Sequence, residues 1–203
     1  MNEHLPHDAL TANTIGFLAD THVRMDDGSD LPQEVLEAFH GVDLIVHLGD
    51  FGQAGVLDRL ASVAPVLATR NVRTDPRDGG VRIAEQNRIL EVNGLRIGAT
   101  FEIADGLANK PPSGELPAFE GSAHDLARSL FGAPVDVIAF GGTHAELQAQ
   151  RDGILFVNPG SPTLPATRPR GQLGTIAILD VSTATPTVRI VPLTPTNSGR
   201  PTP

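Results

Sequence analysis

Cysteine, tryptophan and tyrosine are absent from this 203-residue chain. The lack of cysteine excludes disulfides, thiolate metal sites and a cysteine nucleophile together. Eight phenylalanines make up the whole aromatic complement, so the core must be built mainly from Leu, Val, Ile and Ala. No apolar run approaches the roughly 20 residues needed to span a bilayer, and no membrane partner is expected. Positive charge is also short: 15 Lys and Arg stand against 24 Asp and Glu, a net charge of −9. An acidic surface repels phosphate backbones, which opposes broad binding to nucleic acid. The first residues lack both a basic segment and an apolar one, so no signal peptide is read and a cytoplasmic location is expected. Neither an internal repeat nor a heptad pattern is present.

What remains is ordinary globular material, 40% hydrophobic and 19% charged. Short apolar runs at 14–19, 43–48 and 65–68 read as buried strands. Segments 31–40 and 54–63 between them carry helical apolar stripes. A strand–helix–strand–helix–strand opening argues for an α/β domain with parallel strands, whose carboxyl ends gather ligands. The second half changes character. Asn93-Gly94 and Asp152-Gly153 are two-residue hairpin signals between apolar runs. Further strands are expected at 135–140, 173–181 and 187–191, and a helix at 120–131 with Leu126, Leu130 and Phe131 inward. Residues 104–119 read as a loop or lid. Residues 14–191 are expected to form one domain, with a loose leader at 1–13 and a disordered Pro- and Thr-rich tail at 192–203.

Four expected strands end on metal-type ligands. They are followed by Asp20-Thr21-His22, by Gly49-Asp50, by Asn71, and by Gly142-Thr143-His144. Asp20 and His22 are two residues apart, so on an extended strand end they point the same way. Asp50 and His144 complete a set of two carboxylates and two imidazoles, suited to manganese, iron, zinc or nickel rather than calcium. His47, inside a buried run, is expected to be a hydrogen-bonded residue behind the site rather than a ligand.

These residues carry a family pattern. The series D-x-H, GD, GN, HG, GHTH, NPGS marks the calcineurin-like metallophosphoesterases, and within them the small YfcE-type phosphodiesterases. The chain resembles it at Asp20-Thr21-His22, Gly49-Asp50, Asn71, Thr143-His144 and Asn158-Pro159-Gly160-Ser161. The resemblance implies a four-layer αββα sandwich, two facing mixed sheets flanked by helices. It implies that Asp20, His22, Asp50 and His144 hold a divalent ion, manganese first, and that metal-activated water hydrolyses a small phosphate ester.

The family's second ion uses the GD aspartate, the GN asparagine and two further histidines. Here Asp50 and Asn71 stand, but the histidine positions fall on Phe101-Glu102 and on Gly142. One ion rather than two is therefore expected, with Asn71 and Glu102 as weak second-site candidates. Asn71 is expected to orient water or phosphate. Arg70 and Arg73 flank it and are candidates to bind the phosphate in place of the missing charge; the alternative pairs Arg73 with Asp75 and leaves Arg70 solvated. Val72 stands where some relatives keep a proton-donating histidine. The family also includes a retromer subunit used as a scaffold, so a catalytically inactive binding protein is the alternative. Exposed sheet edges permit a homo-oligomer.

Overall fold

The computed structural model describes residues 7–76, 82–103, 114–183 and 185–195. Its apolar runs pair into two six-stranded sheets. Across the first lie β1 (His7–Leu10), β6 (Asn87–Val92), β7 (Leu95–Thr100), β8 (Val137–Phe140), β10 (Ile154–Pro159) and β9 (Glu146–Arg151). Across the second lie β12 (Thr187–Pro192), β11 (Thr175–Asp180), β2 (Thr14–Leu18), β3 (Leu44–His47), β4 (Val66–Thr69) and β5 (Ile83–Ala84). Both are mixed. β2, β3 and β4 run parallel in one, and β7, β8 and β10 in the other. The hairpin signals hold: Val92 pairs with Leu95 across Asn93-Gly94, and Arg151 with Ile154 across Asp152-Gly153.

Strand periodicity divides the apolar residues between two faces. Ile15, Phe17, Leu44 and Val46 meet Leu90, Ile97, Ala99, Val137 and Val157 between the sheets. The alternate residues face outward. Leu18, Ile45 and Ala68 pack against α1 (Gln33–Ala38) and α2 (Gly55–Ala61), while Ile89, Ile138 and Phe156 pack against α3 (Ala123–Phe131). The layers are thus helix, sheet, sheet, helix, as the family resemblance implied. Each outer interface uses one strand glycine as a socket. A Cβ on Gly16 would stand 2.5 Å from the Phe39 ring, and one on Gly98 would stand 2.5 Å from the Phe131 ring.

Three expectations change. Residues 7–10 are not loose. They pair in parallel with β6 at the sheet edge, and Asp8 faces the fully buried Arg88 of that strand at 3.5 Å. A buried guanidinium needs a nearby carboxylate, which ties this polar segment down; residues 1–6 lie outside the described part. In α3 the buried side chains are Ala123, Ala127 and Phe131, with Leu126 and Leu130 only partly covered. Of the expected lid, 104–113 lie outside the described residues. Its end packs on the outer face of the first sheet, where Phe119 stacks on Phe156 and lies under the Arg151 guanidinium. The tail is described to residue 195, and the expectation for 196–203 likewise falls outside.

Among the described residues, no helix is long and apolar enough to cross a membrane.

Candidate metal centre

The parallel strands of both sheets bring their carboxyl ends to one edge of the sandwich. Asp20 follows β2, Asp50 follows β3 and His144 follows β8. β8 comes close to β2 there. A Cβ on Gly141 would lie 2.7 Å from that of Ala19, so glycine is what lets the two sheets approach. Gly142, at φ +79°, turns its N–H to donate to Asp20 Oδ2 at 2.9 Å.

Asp20, His22, Asp50 and His144 offer donor atoms that all lie within 4.8 Å of one another. His22 Nε2 stands 3.2 Å from His144 Nε2 and 3.5 Å from Asp50 Oδ2, and His144 Nε2 stands 3.4 Å from Asp20 Oδ1. Ligands about 2.1 Å from one tetrahedral ion are separated from each other by about 3.4 Å, so these spacings fit a single divalent cation. The tautomer fits as well. His144 Nδ1 lies 2.8 Å from the Leu164 carbonyl, which can only accept, so the proton sits on Nδ1. That leaves the Nε2 lone pair for a metal. Two imidazole nitrogens and two carboxylates suit manganese, iron or zinc.

All four residues adopt left-handed backbone, with φ of 53° at Asp20, 47° at His22, 55° at Asp50 and 59° at His144. The other described non-glycine residues with positive φ are Asn93 and Asp152, both hairpin turn residues. Such conformations cost on the order of 1 kcal/mol each and concentrate at functional sites. The strand alternation expected to align Asp20 with His22 is therefore not what aligns them; each enters the cluster from its own left-handed bend.

The surrounding residues fix those bends. Asp20 N donates to the Gly49 carbonyl and His22 N to the Asp50 carbonyl, so the first two ligand loops are stitched together. Ser161 Oγ donates to the Asp20 carbonyl at 2.7 Å, and Thr163 Oγ1 to the Thr21 carbonyl at 2.9 Å. Asn158 Nδ2 donates to the Gly141 carbonyl at 3.1 Å. The end of β10 and the residues after it, Asn158–Ser161, thus clamp the D-x-H loop and the β8 loop together, and Ser161, fully buried, is no nucleophile.

His47 is buried behind the cluster, as expected. Its Nδ1 accepts from Gly49 N, so Nε2 carries the proton and faces Thr21 Oγ1 at 2.9 Å; the hydroxyl in turn donates to the Phe51 carbonyl. Burial, with the nearby His22 adding to it, pushes the His47 imidazole down to about 3. An unfolded histidine near 6.5 takes up a proton that the folded one refuses, so this contribution is present above pH 6.5 and lost as pH falls toward 3. It amounts to about 2 kcal/mol by pH 5. In urea unfolding of the metal-free protein, stability should fall by about 2 kcal/mol more between pH 7 and pH 5 in the wild type than in His47→Gln. An equally steep acid limb in the variant would assign the loss elsewhere.

Asp75 was missed by sequence reasoning as part of the site. Its carboxylate accepts from the backbone N–H groups of Asp50 (2.7 Å), Asn71 (2.8 Å) and Gly52 (3.2 Å). It therefore holds the loops after β3 and β4 in one arrangement. Burial, with the Asp50 charge adding to it, raises Asp75 to about 6 against the pull of those hydrogen bonds. An acid four residues after Asn71, in a segment already carrying a ligand, was the only signal available.

The remaining candidates divide. Asn71 Oδ1 accepts from Arg73 N at 3.1 Å. Arg70 is neither solvated nor turned toward a substrate: it is buried, its Nη1 donates to the Asp75 carbonyl at 3.0 Å, and its Nη2 pairs with Glu85. Arg73 pairs with Glu102, not Asp75. The Phe101 ring lies where a Cβ on Gly49 would stand 2.7 Å away.

Residues 14–184 match the model of the calcineurin-like phosphoesterase superfamily domain. A protein of Methanocaldococcus jannaschii named probable metallophosphoesterase is 31% identical over 151 residues, 74% of this chain and 69% of that one. One of Methanothermobacter thermautotrophicus, with the same name, is 28% identical, covering 74% of this chain and 78% of its own. Among solved structures, Vps29 of Entamoeba histolytica in complex with zinc superposes with a TM-score of 0.59 at 17% identity, covering 88% of this chain and 98% of that one. A structure described as a novel archaeal phosphodiesterase superposes with a TM-score of 0.56 at 21% identity, covering 88% and 99%. These two similarities establish the shared fold.

Proposed function

Because the chain belongs to the calcineurin-like phosphoesterase superfamily, we propose that it hydrolyses a small phosphate ester with a divalent metal ion. One observation carries this: two carboxylates and two imidazoles from three separate loops converge with single-ion spacings, each on strained backbone. When bound, such an ion acidifies a coordinated water and polarises the phosphoryl oxygens. Asp20, His22, Asp50 and His144 would hold it. The acidic chain disfavours polyanionic substrates and fits a small ester better.

Proton delivery to the leaving group is the weak element. Val72, directly after Asn71, is half-exposed and cannot donate a proton. Esters with good leaving groups should therefore be preferred. With manganese, purified protein should hydrolyse bis-p-nitrophenyl phosphate, and Asp20→Asn should abolish that turnover. Alkyl phosphodiesters should react far more slowly. Metal-loaded protein that turns over neither aryl diesters nor aryl monoesters would instead support a binding role on this fold.

A further inference from the structure

We propose that the centre is built for one ion, and that the Arg73 guanidinium, positioned by Glu102, binds the phosphoryl oxygens in place of a second. This deepens the metal-dependent reading above and rests on it.

Three oxygens could serve a second ion beside Asp50, and each has a protein donor. Asp50 Oδ1, the carboxylate oxygen turned away from His22, accepts from Thr74 Oγ1 at 2.9 Å. Asn71 Oδ1 accepts from Arg73 N. Glu102 Oε1 accepts from Arg73 Nη2. All three donors come from consecutive residues, Arg73 and Thr74, whose segment is anchored by Asp75. One short loop therefore donates a hydrogen bond to each of these oxygens, and one of the three donors is cationic.

Glu102 is placed to aim that guanidinium. It follows β7, and its Cγ lies 3.2 Å from where a Cβ on Gly142 would stand; Gly142 N in turn donates to Asp20. The ion pair thus spans the loop after β4 and the loops after β7 and β8, alongside the ligand cluster. A bulkier residue at 142 would displace Glu102. Arg73 remains 55% exposed. A guanidinium has five N–H donors, and its planar fork matches two phosphate oxygens, so pairing with Glu102 leaves a face for an incoming anion. Arg70 has no such freedom, because its contacts are to Asp75 and Glu85 within the protein.

The test separates ion counting from anion binding and needs no turnover. Manganese is titrated calorimetrically into wild-type, Arg73→Ala, Arg73→Lys and Glu102→Gln proteins, and inorganic phosphate is then titrated into each manganese-loaded protein. Expected are one manganese per chain in every protein and manganese affinity unchanged by the substitutions, which also reports an intact fold. Phosphate affinity should fall about tenfold to a hundredfold in Arg73→Ala, since charge-assisted hydrogen bonds are lost. It should fall less in Arg73→Lys and Glu102→Gln. Unchanged phosphate affinity in Arg73→Ala would overturn the proposal, as would no phosphate binding to the wild type. So would a second manganese in the wild type that Glu102→Gln removes. Arg73-dependent phosphate binding without hydrolysis of any ester would leave this inference standing and overturn the enzymatic reading alone.

Discussion

Asp50→Ala is expected to weaken manganese binding more than about 100-fold, because even residues that only orient a ligand cost about 10–100-fold when lost. Asp50 contributes more than one oxygen. Its Oδ2 faces His22, its Oδ1 holds Thr74, and its backbone N–H is the shortest of the three that Asp75 accepts. The effect should also be visible without enzymology. A ligand at 100 times its dissociation constant stabilises the folded state by about 2.7 kcal/mol, so manganese should raise the melting temperature of the wild type and leave that of Asp50→Ala where it was. A manganese-dependent rise of equal size in both proteins would place the ion elsewhere.

Asp75→Ala should be the most damaging substitution outside the four ligands. It strands the N–H groups of Asp50, Gly52 and Asn71. An unsatisfied buried donor costs about 1–3 kcal/mol, so a loss of about 3 kcal/mol or more is expected in urea unfolding. Manganese affinity should fall about 10–100-fold, because the loop bearing Asp50 loses its anchor. Asp75→Asn, which keeps one acceptor oxygen, should recover part of both. The pH dependence has a definite sign. With its carboxyl raised from 3.8 to about 6, folded wild-type protein binds a proton that the unfolded chain releases. That contribution is full below about pH 4 and is lost as pH rises through 6. In metal-free protein the deficit of Asp75→Ala should therefore grow by about 1 kcal/mol between pH 7 and pH 5. A deficit that shrinks on acidification would mean that the folded carboxyl ionises more readily than the free side chain.

The four clustered residues could be read from the chain because each follows an apolar run long enough to be a buried strand, and parallel strands gather their carboxyl ends. The hairpins were equally legible, since Asn93-Gly94 and Asp152-Gly153 favour the left-handed backbone that such turns require. Residues whose role depends on three-dimensional partners were not. Nothing near Asp8 announces that a buried Arg88 waits across a sheet edge. Nothing in the Arg70–Asp75 segment says which arginine turns inward, and the buried one proved to be Arg70. The left-handed backbone of Asp20, His22, Asp50 and His144 was also hidden. Asp and His tolerate that conformation better than most residues, but nothing local requires it; at Asp20 and Asp50 it is held by the hydrogen bonds that Ser161 and Thr163 donate and that Asp75 accepts.

Crystals grown with manganese, with diffraction recorded at the manganese absorption edge, measure the arrangement directly. One anomalous peak is predicted per chain, roughly 2.0–2.3 Å from donor atoms of Asp20, His22, Asp50 and His144, with Arg73 still paired to Glu102. A peak away from those four side chains, or none among them while manganese binds elsewhere on the protein, would contradict it.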